Sequence, residues 1–78
     1  MFYTYVLQCG DGNLYIGSTG DLRRRIVEHQ AGRVTATASR LPVRLEYYVA
    51  CRSEKGARRR EKQMKTGFGR AYLKRRLA

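Results

Sequence analysis

The sequence has no tryptophan, a single proline, a single histidine, a single asparagine and two cysteines, and it sets six acidic residues against seventeen lysines and arginines. Each scarcity excludes something. Two cysteines and one histidine, with no Cys-x-x-Cys pair, cannot supply the four nitrogen or sulfur ligands of a structural zinc site, so any bound metal has to be held by oxygen. Cys9 and Cys51 lie far apart in apolar stretches, where a free thiol packs as a small hydrophobe. No apolar run approaches the roughly 18 residues that span a bilayer. Met1-Phe2-Tyr3-Thr4 also lacks the charged-then-apolar order of a secretory signal. The expectation is a cytoplasmic protein with no membrane contact.

What is abundant is positive charge, a formal +11 over 78 residues. Such an excess strains a compact fold by self-repulsion unless an anionic partner relieves it, and nucleic acid is the foremost candidate. Basic ribosome-associated and membrane-surface proteins share this balance, so charge indicates where to look and not what happens there. A chain this short buries only about 60% of the surface its unfolded form exposes. Even so, a 42% hydrophobic content with six Tyr and two Phe suffices for one core. Residues 1–78 are read as one domain.

Phe2 to Cys9 is rich in aromatic and β-branched residues and runs into Gly10-Asp11-Gly12-Asn13, a turn signal. Leu14 to Gly17 forms the second arm of the hairpin. Ser18 with Asp21 three residues on gives a capping-box pattern, and Leu22, Ile26 and Gln30 follow at helical spacing until Gly32. Arg33 to Leu41 is short-chained, hydroxyl-rich and without period, which predicts a mobile loop closed by Pro42. Val43, Leu45, Tyr47, Val49 and Cys51 then alternate with Arg44, Glu46, Tyr48 and Ala50, predicting a strand with one apolar face. Ser53 and Glu54 open a second helix to about Thr66, and Gly67-Phe68-Gly69 separates it from a terminal helix carrying Tyr72, Leu73 and Leu77. The order β-β-α-β-α-α predicts an α+β domain, a small antiparallel three-stranded sheet covered by helices.

Three groups of residues carry possible chemistry. Glu61 falls four residues after Ala57 and three before Met64, on the inward stripe of the second helix. A carboxylate there needs a compensating partner. Either a buried salt bridge to one of the many cations or a hard divalent cation beside phosphate would serve. Arg25 and His29, four apart on the first helix, share a face that also includes Asp21 at the edge of the core. Arg25 suits a forked bond to phosphate. His29 reads either as an ordinary solvated histidine or as a group that bonds phosphate or positions water. Tyr3 and Tyr5 share one face of the first strand, with Tyr15 across the turn. They are core aromatics, or one is a general base if a neighbouring cation lowers a phenol pKa that otherwise stands at about 10.

Tyr3-Thr4-Tyr5, then Tyr15-Ile16-Gly17, then Asp21-Leu22-Arg23-Arg24-Arg25 and His29, resemble the GIY-YIG nucleases in spacing and residue type. Arg58-Arg59-Arg60-Glu61-Lys62-Gln63-Met64-Lys65-Thr66-Gly67-Phe68-Gly69-Arg70 is similar to the short single-domain branch akin to the excision-repair nuclease subunit. Two departures stand out. The first tripeptide keeps only its final tyrosine, and no asparagine follows Glu61, since Asn13 sits in the hairpin turn. The resemblance implies hydrolysis of DNA phosphodiesters with one Mg2+ or Mn2+ held chiefly by Glu61. It further implies that Tyr5 or Tyr15 deprotonates the attacking water, Arg25 steadies the phosphate and His29 assists.

Tyr3, Gly17, Arg23, Lys65 and Arg70 are expected to contact substrate. Thr66-Gly67-Phe68-Gly69 is read either as a source of free N–H groups for a phosphate or as a plain helix-to-helix turn. Cutting is expected to follow DNA structure rather than base sequence, in repair or recombination, by a monomer or homodimer, with RNA left open as a substrate. The rival expectation is a non-catalytic nucleic-acid-binding module that retains the fold.

Overall fold

The computed structural model describes residues 1–77, apart from the side chains of Phe68, Arg70, Lys74 and Leu77. β1 (Phe2–Gln8) is the central strand of a three-stranded sheet of order β2-β1-β3, with β2 (Leu14–Thr19) and β3 (Arg44–Cys51) antiparallel to it on either side. Because β1 is covered on both faces, its middle residues Thr4, Tyr5, Val6 and Leu7 are all buried. Odd and even positions of the strand feed two separate cores. Tyr5, Leu7 and Cys9 pack with Val43, Leu45, Leu22 and Ile26 under helix α1 (Leu22–Gln30), whereas Val6 packs with Ile16, Met64 and Leu73 under α3 (Glu54–Met64) and α4 (Gly67–Leu77). Each fully buried large apolar side chain contributes about 1.5–3 kcal/mol. Thr4 is tolerated in this setting because its hydroxyl donates to the Ala57 carbonyl at 2.6 Å, tying β1 to α3.

The α+β architecture, a three-stranded antiparallel sheet covered by helices, matches the expectation from the sequence, while three local expectations change and one open alternative is resolved. Ser18 lies within β2 and does not cap α1. Asp21 does so, its carboxylate accepting from the Arg24 N–H at 3.1 Å. The stretch read as a mobile loop contains a short helix, α2 (Thr35–Ala38), anchored by buried Val34 and Thr37. The single apolar face assigned to β3 does not exist. Val6 pairs with Tyr47 but Leu7 pairs with Leu45, so Glu46 is an extra residue in the strand. Such a bulge reverses which side successive residues face. Val43 and Leu45 therefore face the α1 side, and Tyr47 and Val49 face the α3 side. The segment between α3 and α4 is a helix-to-helix turn, where the Thr66 hydroxyl takes the Gly69 N–H at 3.1 Å. Gly69 is required there, since a Cβ on it would stand 2.1 Å from the Gln63 carbonyl oxygen.

Candidate active site

The α1 side of the sheet gathers four of the residues singled out above. On α1 the inward stripe is Leu22, Ile26 and His29, with Arg25 half-buried at its margin. His29 falls in the last turn of α1, and its ring lies inward against Tyr5 and Tyr15. The ring is fully buried, which overturns the reading of His29 as an ordinary solvated histidine. Its Nε2 lies 2.8 Å from the Tyr5 phenolic oxygen and its Nδ1 lies 2.8 Å from the Thr37 hydroxyl. Tyr15 packs at 5.2 Å from the His29 ring and 6.4 Å from the Tyr5 ring, centroid to centroid.

Gly17 owes its identity to Tyr5. The two are paired across β1 and β2, and a Cβ at Gly17 would stand 2.5 Å from the Tyr5 phenolic oxygen. The phenol therefore occupies the space that a side chain would fill, with its oxygen over the edge strand β2. Burial pushes the Tyr5 pKa up, while the neighbouring Arg25 guanidinium works against that rise. Arg25 itself is shared, since it also pairs with Glu28 at 3.2 Å. The His29 pKa is lowered, first by burial and then by the charge of Arg25, so the ring is neutral near neutral pH.

Glu61 arrives from the other layer. It sits between buried Ala57 and Met64 on α3, as its spacing predicts, and its side chain stays 23% exposed. One oxygen accepts from the Ser18 hydroxyl at 2.7 Å and the other pairs with Lys65 at 2.7 Å. Burial pushes its pKa up, but the hydrogen bonds from Lys65 and Ser18 outweigh that and hold the carboxyl below its ordinary value. Its negative charge extends to the Tyr5 phenol, where it opposes ionisation. The two layers thus meet at the β2 edge, with Gly17 turned to one side and Ser18 to the other.

Among the described residues no group of three or more His, Cys, Asp or Glu forms a metal cage. One carboxylate fits a small hard cation that keeps most of its waters and takes further oxygens from a phosphate, and Glu61 meets that requirement if Lys65 yields its place. The remaining expected substrate contacts are dispersed. Tyr3 and Arg23 line an open cleft of about 540 Å³ with Ile26, Leu45 and Tyr48, which Arg25 and His29 do not border. Lys65 is taken up by Glu61. The side chain of Arg70 lies outside the described residues.

Residues 1–75 match the family profile described as the GIY-YIG catalytic domain. The chain belongs to the GIY-YIG family. A UPF0213 protein of Streptococcus agalactiae is 45% identical over 72 residues, covering 91% of this chain and 82% of its own. One from Bacillus pumilus is 40% identical over 65 residues, covering 82% of this chain and 66% of its own. The solution NMR structure of a UPF0213 protein from Bacillus halodurans superposes with a TM-score of 0.58 at 36% identity, over 94% of this chain and 82% of that one. Membership of this GIY-YIG family indicates a nuclease domain acting on nucleic acid. Among the described residues, no helix is long and apolar enough to cross a membrane.

Two residues that touch this constellation were not found from the sequence. By sequence pattern Ser18 reads as a helix cap, and Thr37 falls in a stretch without period. The signal for Thr37 is its three-residue spacing from Val34, which puts both on one side of a short helix. For Ser18 it is strand alternation after Tyr15-Ile16-Gly17, which turns its hydroxyl away from Tyr15 and toward α3.

Proposed function

We propose that this chain is a metal-dependent endonuclease that hydrolyses phosphodiester bonds in DNA, selecting sites by DNA structure, and that residues 1–78 act as one nuclease domain. The observation that supports it best is the phenolic oxygen of Tyr5, held against a neutral His29 at 2.8 Å beside the Arg25 guanidinium. In this reading Arg25 leaves Glu28 for a phosphate oxygen. Tyr5 accepts a proton from the attacking water once its own has been released. Tyr15 and His29 keep the phenol in place, and Glu61 with Lys65 moved aside is the carboxylate that holds Mg2+ or Mn2+. When bound, that ion would neutralise charge on the phosphate and lower the pKa of water. A positioned base contributes about 10²–10⁴-fold, so charge neutralisation must supply much of the remainder.

The high positive charge suits backbone contacts, which position a protein on DNA without reading bases. The test is incubation of purified protein with flap, branched and plain duplex DNA in Mn2+, Mg2+ or EDTA. Cleavage that needs the ion, prefers a junction and ignores base sequence supports the proposal, and binding without cleavage in every condition overturns it. A non-catalytic binding module has one observation in its favour, because Ser18 and Lys65 already satisfy Glu61. It predicts that neither wild type nor Glu61→Gln cleaves DNA and that Glu61→Gln, with one negative charge fewer, binds it at least as tightly as wild type.

A further inference from the structure

Helix α1 covers only part of its side of the sheet. Leu7, Leu45 and Tyr15 pack in the core beneath it, whereas Tyr3 and Tyr48 fall outside that core. Both stand on the same side of the sheet as Tyr5, Tyr3 by alternation along β1 and Tyr48 as the direct partner of Tyr5 on β3. The two rings meet edge-on with centroids 6.2 Å apart and floor the open cleft of about 540 Å³, whose wall is Arg23, Ile26 and Val27 of α1. Tyr48 is 54% and Val27 58% exposed, so folding leaves this apolar surface in water. An edge-on pair covers the face of at most one of its rings, which leaves a ring face open to a ligand. Arg23 takes part in none of the described ion pairs. Asp21, the only carboxylate among the described lining residues, is engaged as the cap of α1.

Exposed aromatic faces beside an uncommitted guanidinium match a nucleotide, whose base stacks on a ring while its phosphate meets the cation. A second copy of the chain fits poorly, because each copy carries a formal +11 and the two repel. Paired bases fit poorly too, since stacking within a duplex hides their faces. We propose that the cleft between Tyr3 and Tyr48 is a stacking site for unpaired bases of a DNA strand, with Arg23 on an adjoining phosphate. Tyr5 sends its phenol over Gly17 toward β2, and the cleft opens on the β3 side of α1, so a strand seated on Tyr48 lies beside the candidate active site and not in it. Selection by DNA structure then becomes selection for unpaired bases at a flap, fork or loop. That role in substrate choice rests on the nuclease reading above, but the affinity for unpaired bases does not.

Fluorescence anisotropy in EDTA, where metal-dependent cleavage is off, compares a short labelled oligothymidylate with the same backbone carrying abasic sites in place of bases. Wild type is expected to bind the thymidylate about 5–100-fold more tightly than the abasic strand. Tyr48→Ala should lose most of that preference, while Tyr48→Phe, which keeps a ring, stays within a few-fold of wild type. Arg23→Gln should weaken both strands alike and flatten the salt dependence by about 0.7 in log–log slope, the loss of one phosphate contact on a single strand. If Tyr48→Ala does not fold, Tyr48→Thr, a replacement suited to an exposed strand position, takes its place. Equal affinity of wild type for the two strands, or an undiminished base preference in the Tyr48 variant, overturns the proposal. So does a wild-type dimer in analytical ultracentrifugation that the Tyr48 variant dissociates, since a second copy then covers the cleft. A base preference that depends on Tyr48 in a protein that cuts nothing with Mn2+ or Mg2+ supports the site and sinks the nuclease reading. Cleavage of flaps without any base preference does the reverse.

Discussion

Tyr5, His29 and Thr37 on the α1 side of the sheet are shut off from water, whereas Glu61 on the α3 side keeps 23% of its side chain exposed and leans on Lys65, whose side chain is 50% exposed. Opening the first arrangement leaves buried polar groups unpaired, at about 1–3 kcal/mol each. An exposed ion pair of the second kind is worth about 0–1 kcal/mol and exchanges readily. One half of the candidate site is therefore a fixed scaffold. The other half can hand its carboxylate to a different cation. That difference suits an enzyme whose phenol must stay in register while its charge-stabilising groups are completed by substrate and ion.

The largest effect should come from the exchangeable half. Glu61→Gln is expected to reduce single-turnover cleavage by about 10²–10³-fold or more, with thermal stability shifted by less than roughly 0.5 kcal/mol. Cleavage at the wild-type rate would remove Glu61 from the site. The rigid half should respond in both readouts. Tyr5→Phe is expected to slow cleavage by about 10²-fold or more and to cost about 1–3 kcal/mol in urea melts, because His29 Nε2 loses its partner. Tyr15→Phe should leave stability near wild type, since the described hydrogen bonds do not include its hydroxyl. If the two variants are equally destabilised, the contrast between them is wrong.

Gly17→Ala is a probe without polar chemistry. Its Cβ would stand 2.5 Å from the Tyr5 oxygen, so the ring must move. The expected loss is about 1–3 kcal/mol of stability, together with a disturbed Tyr5 to His29 bond visible in the His29 nitrogen shifts. An alanine variant as stable as wild type would show that Tyr5 is not seated over this residue.

The smallest effect is on pH dependence. Burial and Arg25 hold the folded-state pKa of His29 below its ordinary value, while the unfolded chain takes up a proton at about 6.5. Below that pH the unfolded state binds more protons, so stability should fall as pH drops through the range from about 6.5 toward the folded pKa, and should be flat with respect to this group above it. Melting curves between pH 8 and pH 5 on wild type and His29→Gln test this. An equal slope in both would assign the dependence to other groups.

Much of the site was legible because its signals are local. Helical spacing put Glu61 between Ala57 and Met64, and strand alternation put Tyr3 and Tyr5 on one face, as found. The Ser53 cap was also legible, since a cap is defined within four residues, and its hydroxyl does accept from the Gly56 N–H at 3.0 Å. Thr37 was missed because a four-residue helix is too short to show a period, and because its stabilising partner, His29, is eight residues away in sequence.

Sequence alone determined the order of the main strands and helices, the surplus of positive charge and the residue types able to do phosphate chemistry, because periodicity, turn residues and composition act over a few neighbours. Tertiary structure decided the rest. A bulge at Glu46 turned the two ends of β3 toward opposite cores, which no alternation of apolar residues can announce when both faces are covered. Packing across 24 residues of sequence brought the Tyr5 hydroxyl to His29, and across 43 residues it brought Ser18 to Glu61. Whether His29 is solvated or sealed, and whether Glu61 is isolated or paired, depends on what the sheet places beside each, and that is set only when the two helical layers close over it.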